Sequence, residues 1–154
     1  ADILAANIGK FRIFAAEHKG YFVKISSLQS YYEENLKLLE KKKRDALFGS
    51  GHAIYTKVKD SAPTRYGEKC VVKNSLIADG CDIEGTVENC ILFRGTKIGK
   101  NAVVKNCILM QDTYVGNNVK INCVIADKNV MIKDDKEFAG LPEIPFYLNK
   151  GAQI

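Results

Sequence analysis

Hydrophobic and polar positions follow two unlike patterns along the chain, an irregular mixture over residues 1–50 and a short repeating motif over residues 67–154. In the first stretch, Asp2 to Asn7 is apolar enough for a short helix closed by Gly9. Phe11-Arg12-Ile13-Phe14-Ala15 and Tyr21-Phe22-Val23-Lys24-Ile25 are aromatic and branched, and His18-Lys19-Gly20 between them predicts a hairpin. Ser26 with Gln29 three residues later predicts a capping box, because each side chain satisfies a backbone donor that the first helical turn leaves open. Leu28, Tyr31, Tyr32, Leu36 and Leu39 then share one helical face, which must pack on something. Lys41, Lys42, Lys43 and Arg44 are expected where that helix ends, since cations favour the negative end of its dipole. Gly49-Ser50-Gly51 and Ser61-Ala62-Pro63 mark a connecting stretch with an extended segment, Ile54 to Val58, inside it. The division is therefore a first unit at 1–50, a linker at 51–66 and a second unit at 67–154.

The second unit repeats. Asn74-Ser75-Leu76-Ile77, Asn89-Cys90-Ile91-Leu92, Asn106-Cys107-Ile108-Leu109 and Asn122-Cys123-Val124-Ile125 recur at intervals of 15, 17 and 16 residues. A second anchor, Ile83, Ile98 and Val115, recurs at 15 and 17. Four coils are visible. A period just under 18 fits three short strands per coil, turning on residues such as Gly85, Gly95, Gly99 and Gly116. Stacked coils lie roughly 4.8 Å apart and pair through their backbones. Ile98, Val104, Val115 and Ile121 are candidates for inner files, with ladders of Asn at 74, 89, 106 and 122 and of Cys at 90, 107 and 123. Such a prism has two raw ends. The linker is expected to cover one, and Phe138 to Ile154, as a cap or a last partial coil, the other.

Composition narrows the chemistry. The chain has 154 residues and a formal charge of +5, too weak an excess to argue for nucleic acid. No window carries the roughly 18 uninterrupted apolar residues of a membrane helix, and the first twenty residues lack the order of a secretion signal, so a soluble, cytoplasmic protein is expected. The start on Ala1-Asp2-Ile3-Leu4 predicts a piece of a longer protein. Five Cys without a C-x-x-C pair predict reduced buried thiols, and His18 and His52 have no metal spacing. Acyl transfer on a coiled prism needs a His as general base, and none occurs from residue 53 onward. Neither phosphate-loop pattern occurs. Asp134-Asp135 and Glu33-Glu34 read as solvated charge. Arg94 and Lys97, flanking Gly95, with Lys73, Lys105 and Lys120, form a possible basic stripe for an anionic effector.

Several runs resemble a known family. Gly20-Tyr21-Phe22-Val23-Lys24-Ile25-Ser26-Ser27, with Ser30-Tyr31-Tyr32-Glu33-Glu34-Asn35-Leu36-Lys37-Leu38-Leu39, resembles the end of the catalytic domain of bacterial glucose-1-phosphate adenylyltransferase. Ile54 to Thr64 resembles its interdomain linker, and Glu84-Gly85-Thr86-Val87-Glu88-Asn89-Cys90-Ile91-Leu92-Phe93-Arg94-Gly95 its carboxy-terminal repeat domain. The resemblance implies a mainly β fold, a left-handed parallel β-helix of the hexapeptide-repeat type, preceded by a small α+β remnant of the nucleotidyltransferase domain. It also implies a reaction of ATP with glucose 1-phosphate, giving ADP-glucose and pyrophosphate for glycogen synthesis, with Mg²⁺ in the holoenzyme and no cofactor in this chain.

Where catalytic members carry a metal-binding Asp, this sequence has Lys24, and an ammonium repels Mg²⁺. That departure resembles the GlgD-type regulatory subunit, so no catalytic residue is expected here. The implied partners are a catalytic subunit of the same enzyme and further subunits through the β-helix, with no nucleic acid and no membrane. A subunit of another sugar-1-phosphate nucleotidyltransferase and a hexapeptide-repeat acyltransferase are the alternatives.

Overall fold

The computed structural model describes residues 2–49, 51, 54–56 and 59–154. Among these, helices α1 (Asp2–Asn7), α2 (Leu28–Lys37) and α3 (Lys41–Phe48) precede fifteen short strands. From Arg65 the chain winds as a parallel solenoid whose three faces are five-stranded sheets. The first face stacks β1 (Arg65–Tyr66), β4 (Asp82–Ile83), β7 (Lys97–Ile98), β10 (Tyr114–Val115) and β13 (Met131–Ile132). The second stacks β2 (Val71–Lys73), β5 (Thr86–Glu88), β8 (Val103–Lys105), β11 (Lys120–Asn122) and β14 (Glu137–Ala139). The third stacks β3 (Leu76–Ile77), β6 (Ile91–Leu92), β9 (Ile108–Leu109), β12 (Val124–Ala126) and β15 (Phe146–Leu148).

Alternation along each strand sends one side chain inward per layer. Ile83, Ile98, Val115 and Ile132 are in register on the first face, and Val87, Val104 and Ile121 on the second. Leu92, Leu109, Ala126 and Leu148 complete the interior from the third, and all of these side chains are buried. The expected inner files at Ile98, Val104, Val115 and Ile121 are therefore present. Thr96 and Thr113, also buried, donate their hydroxyls to the carbonyls of Phe93 and Met110, both at 2.7 Å. The tail forms β14 and β15, so it is a last coil, with the Pro142 and Pro145 segment looping between its strands.

Corners need the left-handed backbone region, which Asn tolerates better than most residues. Asn74, Asn89 and Asn106 have φ of 41°, 54° and 50°, and their side-chain amides bond from coil to coil at 2.8 and 3.3 Å. The fourth repeat is displaced by one residue from the sequence alignment. Ile125 pairs with Ile108 and Ala126 with Leu109, so Cys123, with φ of 52°, takes the corner that Asn106 takes one coil earlier. Val124, not Cys123, then continues the inner file of Cys90 and Cys107. The Cys ladder thus has two members, and Cys123 faces outward. Asn122 still accepts from the Asn106 amide at 2.8 Å, which preserves the look of an Asn ladder.

The first fifty residues depart further from expectation. Residues 12–19 and 21–26 form no strand, and the predicted hairpin is absent. A lone two-stranded ribbon is marginal in water. Here Phe11, Phe14 and Phe22 are 69%, 84% and 79% exposed, so no layer covers them. The capping box sits one residue later than expected: the Ser27 hydroxyl accepts from the Ser30 N–H at 3.0 Å, while Gln29 turns to Glu33. Lys41 to Arg44 open α3 instead of ending α2, although Arg44 Nη1 still donates to the Leu38 carbonyl at the end of α2, at 2.9 Å. Strand β1 falls inside the expected linker, where the Thr64 hydroxyl already donates to the Ala78 carbonyl at 2.8 Å. Of the expected extended segment, Ile54 to Thr56 has no regular structure and Lys57 and Val58 lie outside the described residues, as do Ser50 and His52.

Asn106→Ala is expected to cost about 2 kcal/mol in urea unfolding, from the left-handed penalty plus lost amide bonds. Asn106→Gly keeps the angle and is expected to cost less; equal losses would show that the backbone angle is not what this Asn supplies. The uncovered aromatics are expected to make the chain associate with rising concentration, and Phe14→Ser with Phe22→Ser to return it to a monomer on sizing.

Candidate functional site

Two kinds of strand occur in the solenoid. On the first and second faces, an inward aliphatic residue alternates with outward groups such as Asp82, Lys97, Glu88 and Lys105. On the third face both residues are apolar: Leu76-Ile77, Ile91-Leu92, Ile108-Leu109 and Val124-Ile125-Ala126. One side chain of each pair must then point outward and be covered from outside. Helix α2 provides the cover. Tyr32, only 3% exposed, forms a second apolar cluster with Ile108, Cys123 and Ile125, and Tyr31, Leu36, Phe93 and Met110 pack around it. The Tyr32 hydroxyl donates to the Asn106 carbonyl at 2.6 Å, which joins the helix to the Asn corner. Burial pushes the Tyr32 phenol far above its ordinary range, so it stays a neutral donor. The doubled apolar pairs were the signal for this seat, and the Leu28–Leu39 face was its counterpart, although Leu28 itself remains exposed.

The helix is tied back to the segment before it. Glu34 accepts from the Tyr21 hydroxyl and from Lys37 at 2.6 Å, and these two donors hold its carboxyl below the usual range. Lys43 lies 5.3 Å from the centre of the Tyr21 ring. Beside α2, a cleft of about 460 Å³ runs between Leu36, Lys37 and Glu40 on one side and Asn106, Cys123 and Pro142 on the other.

The expected basic stripe is not one surface. Lys105 on the second face pairs with Glu88 at 3.0 Å, and Lys120, displaced along its strand, with Glu137 at 3.4 Å. Lys97 is on the first face, in register between Asp82 and Tyr114, in a shallow recess that also holds Arg65 and Glu84. Arg94 lies at the turn after β6, across Gly95 from Lys97. These two cations share a corner, and the other three do not join them.

The residues present do not fit a magnesium site. Lys24 is exposed on irregular backbone and brings no oxygen donor, and no three His, Cys, Asp or Glu side chains gather among the described residues. The thiols are free, and burial pushes that of Cys107 well up, which leaves it a poor nucleophile. The interior is mostly aliphatic, with the Cys81, Cys90 and Cys107 thiols buried among it. What this arrangement can do is present surfaces and couple a helix to a stack of coils. Among the described residues no helix is long and apolar enough to cross a membrane.

Tyr32→Phe leaves the Asn106 carbonyl without its donor and is expected to cost about 1–2 kcal/mol in urea unfolding. Because the phenol is neutral in the fold and titrates near 10 when unfolded, stability is complete below pH 10 and falls as pH rises above it. The slope contributed by Tyr32 is about 1.4 kcal/mol per pH unit, and Tyr32→Phe is expected to remove that share. An unchanged alkaline limb in the variant would refute the buried-donor reading.

Comparison with known proteins agrees with this geometry. Over 135 residues the chain is 50% identical to the glycogen biosynthesis protein GlgD of Bacillus subtilis, covering 88% of this chain and 39% of that protein. It is 57% identical over 70 residues to the glycogen biosynthesis protein GlgD of Geobacillus stearothermophilus, covering 46% of this chain and 20% of the relative. It is 36% identical over 103 residues to the glucose-1-phosphate adenylyltransferase of Thermosipho africanus, covering 67% and 25%. The chain thus spans well under half the length of these relatives. Residues 58–140, the stretch that winds through most of the solenoid, match a family described as GlmU-like, C-terminal hexapeptide, and the chain belongs to that family.

Proposed function

We propose that this chain is the carboxy-terminal assembly and regulatory portion of a GlgD-type subunit of glucose-1-phosphate adenylyltransferase, acting in glycogen biosynthesis beside a catalytic subunit. The observation that carries the reading is 50% identity to a GlgD protein across 88% of the chain, joined to a solenoid with a mostly aliphatic buried interior. Lys24 in place of a carboxylate supports a modulating role over a catalytic one, because an ammonium disfavours the ion that would balance phosphate charge. The exposed aromatics at 11, 14 and 22 suit cover by the rest of a nucleotidyltransferase domain. The seat of α2 on the third face offers a rigid path from that domain to the coils. Outward faces of the solenoid suit contact with neighbouring subunits. Arg94 and Lys97 are the cations of this reading open to an anionic effector.

The test uses the full-length subunit co-expressed with its catalytic partner. Pyrophosphate release is measured for the catalytic subunit alone, for the pair, and for this subunit alone. The pair is expected to differ from the catalytic subunit in kcat or KM, and this subunit alone to be inactive. Turnover by this subunit alone would overturn the reading of Lys24. Failure to bind the partner or to change its kinetics would overturn the regulatory role.

A further inference from the structure

The coils are not of equal length: the last is lengthened by the Pro142 and Pro145 loop between faces two and three, and an earlier one is shortened at the corner between faces one and two. On the first face, Ile98, Val115 and Ile132 follow one another at 17 residues, but Ile83 precedes Ile98 by only 15. The third coil turns from face one to face two through Gly99-Lys100-Asn101-Ala102, and the second through Glu84-Gly85 alone. The first coil has the full turn, Gly67-Glu68-Lys69-Cys70. One layer of a two-residue corner is therefore missing between Glu68-Lys69 and Lys100-Asn101. A notch of about 350 Å³ lies there, lined by Gly67, Glu68, Lys69, Glu84, Lys100 and Asn101.

The layers that are complete define what the missing one would have done. The Asn118 N–H donates to the Lys100 carbonyl, and the Asp135 N–H to the Asn117 carbonyl, each at 2.9 Å. The Asn117 N–H donates to Asp134 Oδ1 at 2.8 Å, and the Lys100 N–H to Asn117 Oδ1 at 2.9 Å. Amide side chains link Asn101 to Asn118 at 3.2 Å and Asn118 to Asp135 at 2.9 Å. By the same pattern, the Asn101 N–H would need a carbonyl from the absent layer, and the Glu68 N–H a side-chain oxygen. Neither N–H has a protein acceptor among the described residues. Glu84 is near Arg65, at 3.7 Å, whereas Lys69 and Lys100 form no ion pair among the described residues.

From this we infer that the notch is a binding site for a short extended segment of a partner polypeptide, whose backbone and an Asp or Asn side chain complete the missing corner layer between Glu68-Lys69 and Lys100-Asn101. The peptide carbonyl accepts from the Asn101 N–H. The side-chain oxygen accepts from the Glu68 N–H, as Asp134 accepts from Asn117. Lys69 and Lys100 offset the carboxylates of Glu68 and Glu84 that also line the notch, so an Asp at that position keeps two cations beside it. Strand addition at sheet edges follows the same logic, with main-chain bonds giving affinity and one or two side chains giving selectivity. The inference rests on coil geometry alone and stands whether or not the regulatory reading does.

The test titrates the ¹⁵N-labelled chain with the blocked dipeptide N-acetyl-Asp-Asn-N-methylamide, and separately with sodium acetate, following amide resonances. Saturable shifts at Glu68, Gly85 and Asn101 with the dipeptide, and none with acetate, are the expected result. A variant with Lys-Asn inserted between Glu84 and Gly85 restores a 17-residue coil; it is expected to keep the dispersed spectrum and lose the shifts. Lys69→Ala with Lys100→Ala, which leaves the corner open, is expected to weaken binding several-fold. No saturable shift with the dipeptide, equal shifts with acetate, or shifts that persist in the filled variant would each overturn the inference.

Discussion

Parallel stacking obliges every coil to return to the same angular position one layer along the axis. Each layer's N–H and C=O groups otherwise miss the layers on either side, and buried backbone groups without partners are costly. The rest of the structure answers that obligation. Strands of two or three residues are too short to correct a misplaced entry, so register is set at the corners. There the chain uses the left-handed region at Asn74, Asn89 and Asn106, at Asn101, Asn118 and Asp135, and at Gly95, Asp112 and Asn129. At Asn74, Asn89 and Asn106, and at Asn101 and Asn118, short polar side chains both tolerate the angle and bond to the next layer. Corner chemistry and interior packing are therefore one constraint: a corner that slips also moves an aliphatic side chain out of its file.

Cys123 illustrates the point. The repeat motif invites an alignment of Asn122-Cys123 with Asn106-Cys107, and the side-chain amides at 106 and 122 do meet. Backbone pairing follows the 17-residue period instead and places Cys123 at the corner with φ of 52°. The aliphatic interior decides the matter, because only this register turns Val124 and Ala126 inward and leaves Ile125 to meet Tyr32. A motif match of four residues yields to the burial of two.

The solenoid and its inner files were readable because their information is local and repeated: every layer restates which positions are aliphatic. Elements stated only once were less readable. The aromatic runs at 11–15 and 21–25 carry strand composition, but strand composition without a neighbouring strand makes no strand, and the segment stays irregular. Ser26 and Ser27 compete for one cap, and the choice falls to Ser27 because Ser30 can bond it reciprocally. Lys41 to Arg44 have the charge of a helix end, yet only Arg44 reaches the carbonyls there, from the following helix. The seat of α2 was written in the doubled apolar pairs of the third face, a pattern that separates a strand covered on both sides from one facing water.

Function was legible to a different depth. Among the described residues no three His, Cys, Asp or Glu side chains gather, and fold alone does not assign a role. What the residues supply is a physical route between two surfaces. Helix α2 carries Glu34, which holds Tyr21 in the amino-terminal segment, and two residues earlier Tyr32, which holds the corner carbonyl of Asn106. Asn106 in turn bonds Asn89 on one side and Asn122 on the other. Tyr21, Glu34, Tyr32 and the Asn106 corner thus lie on one continuous line of contacts from the amino-terminal segment to the corner ladder. Under the proposed regulatory role, that line is where the amino-terminal segment and the stack of coils would be coupled.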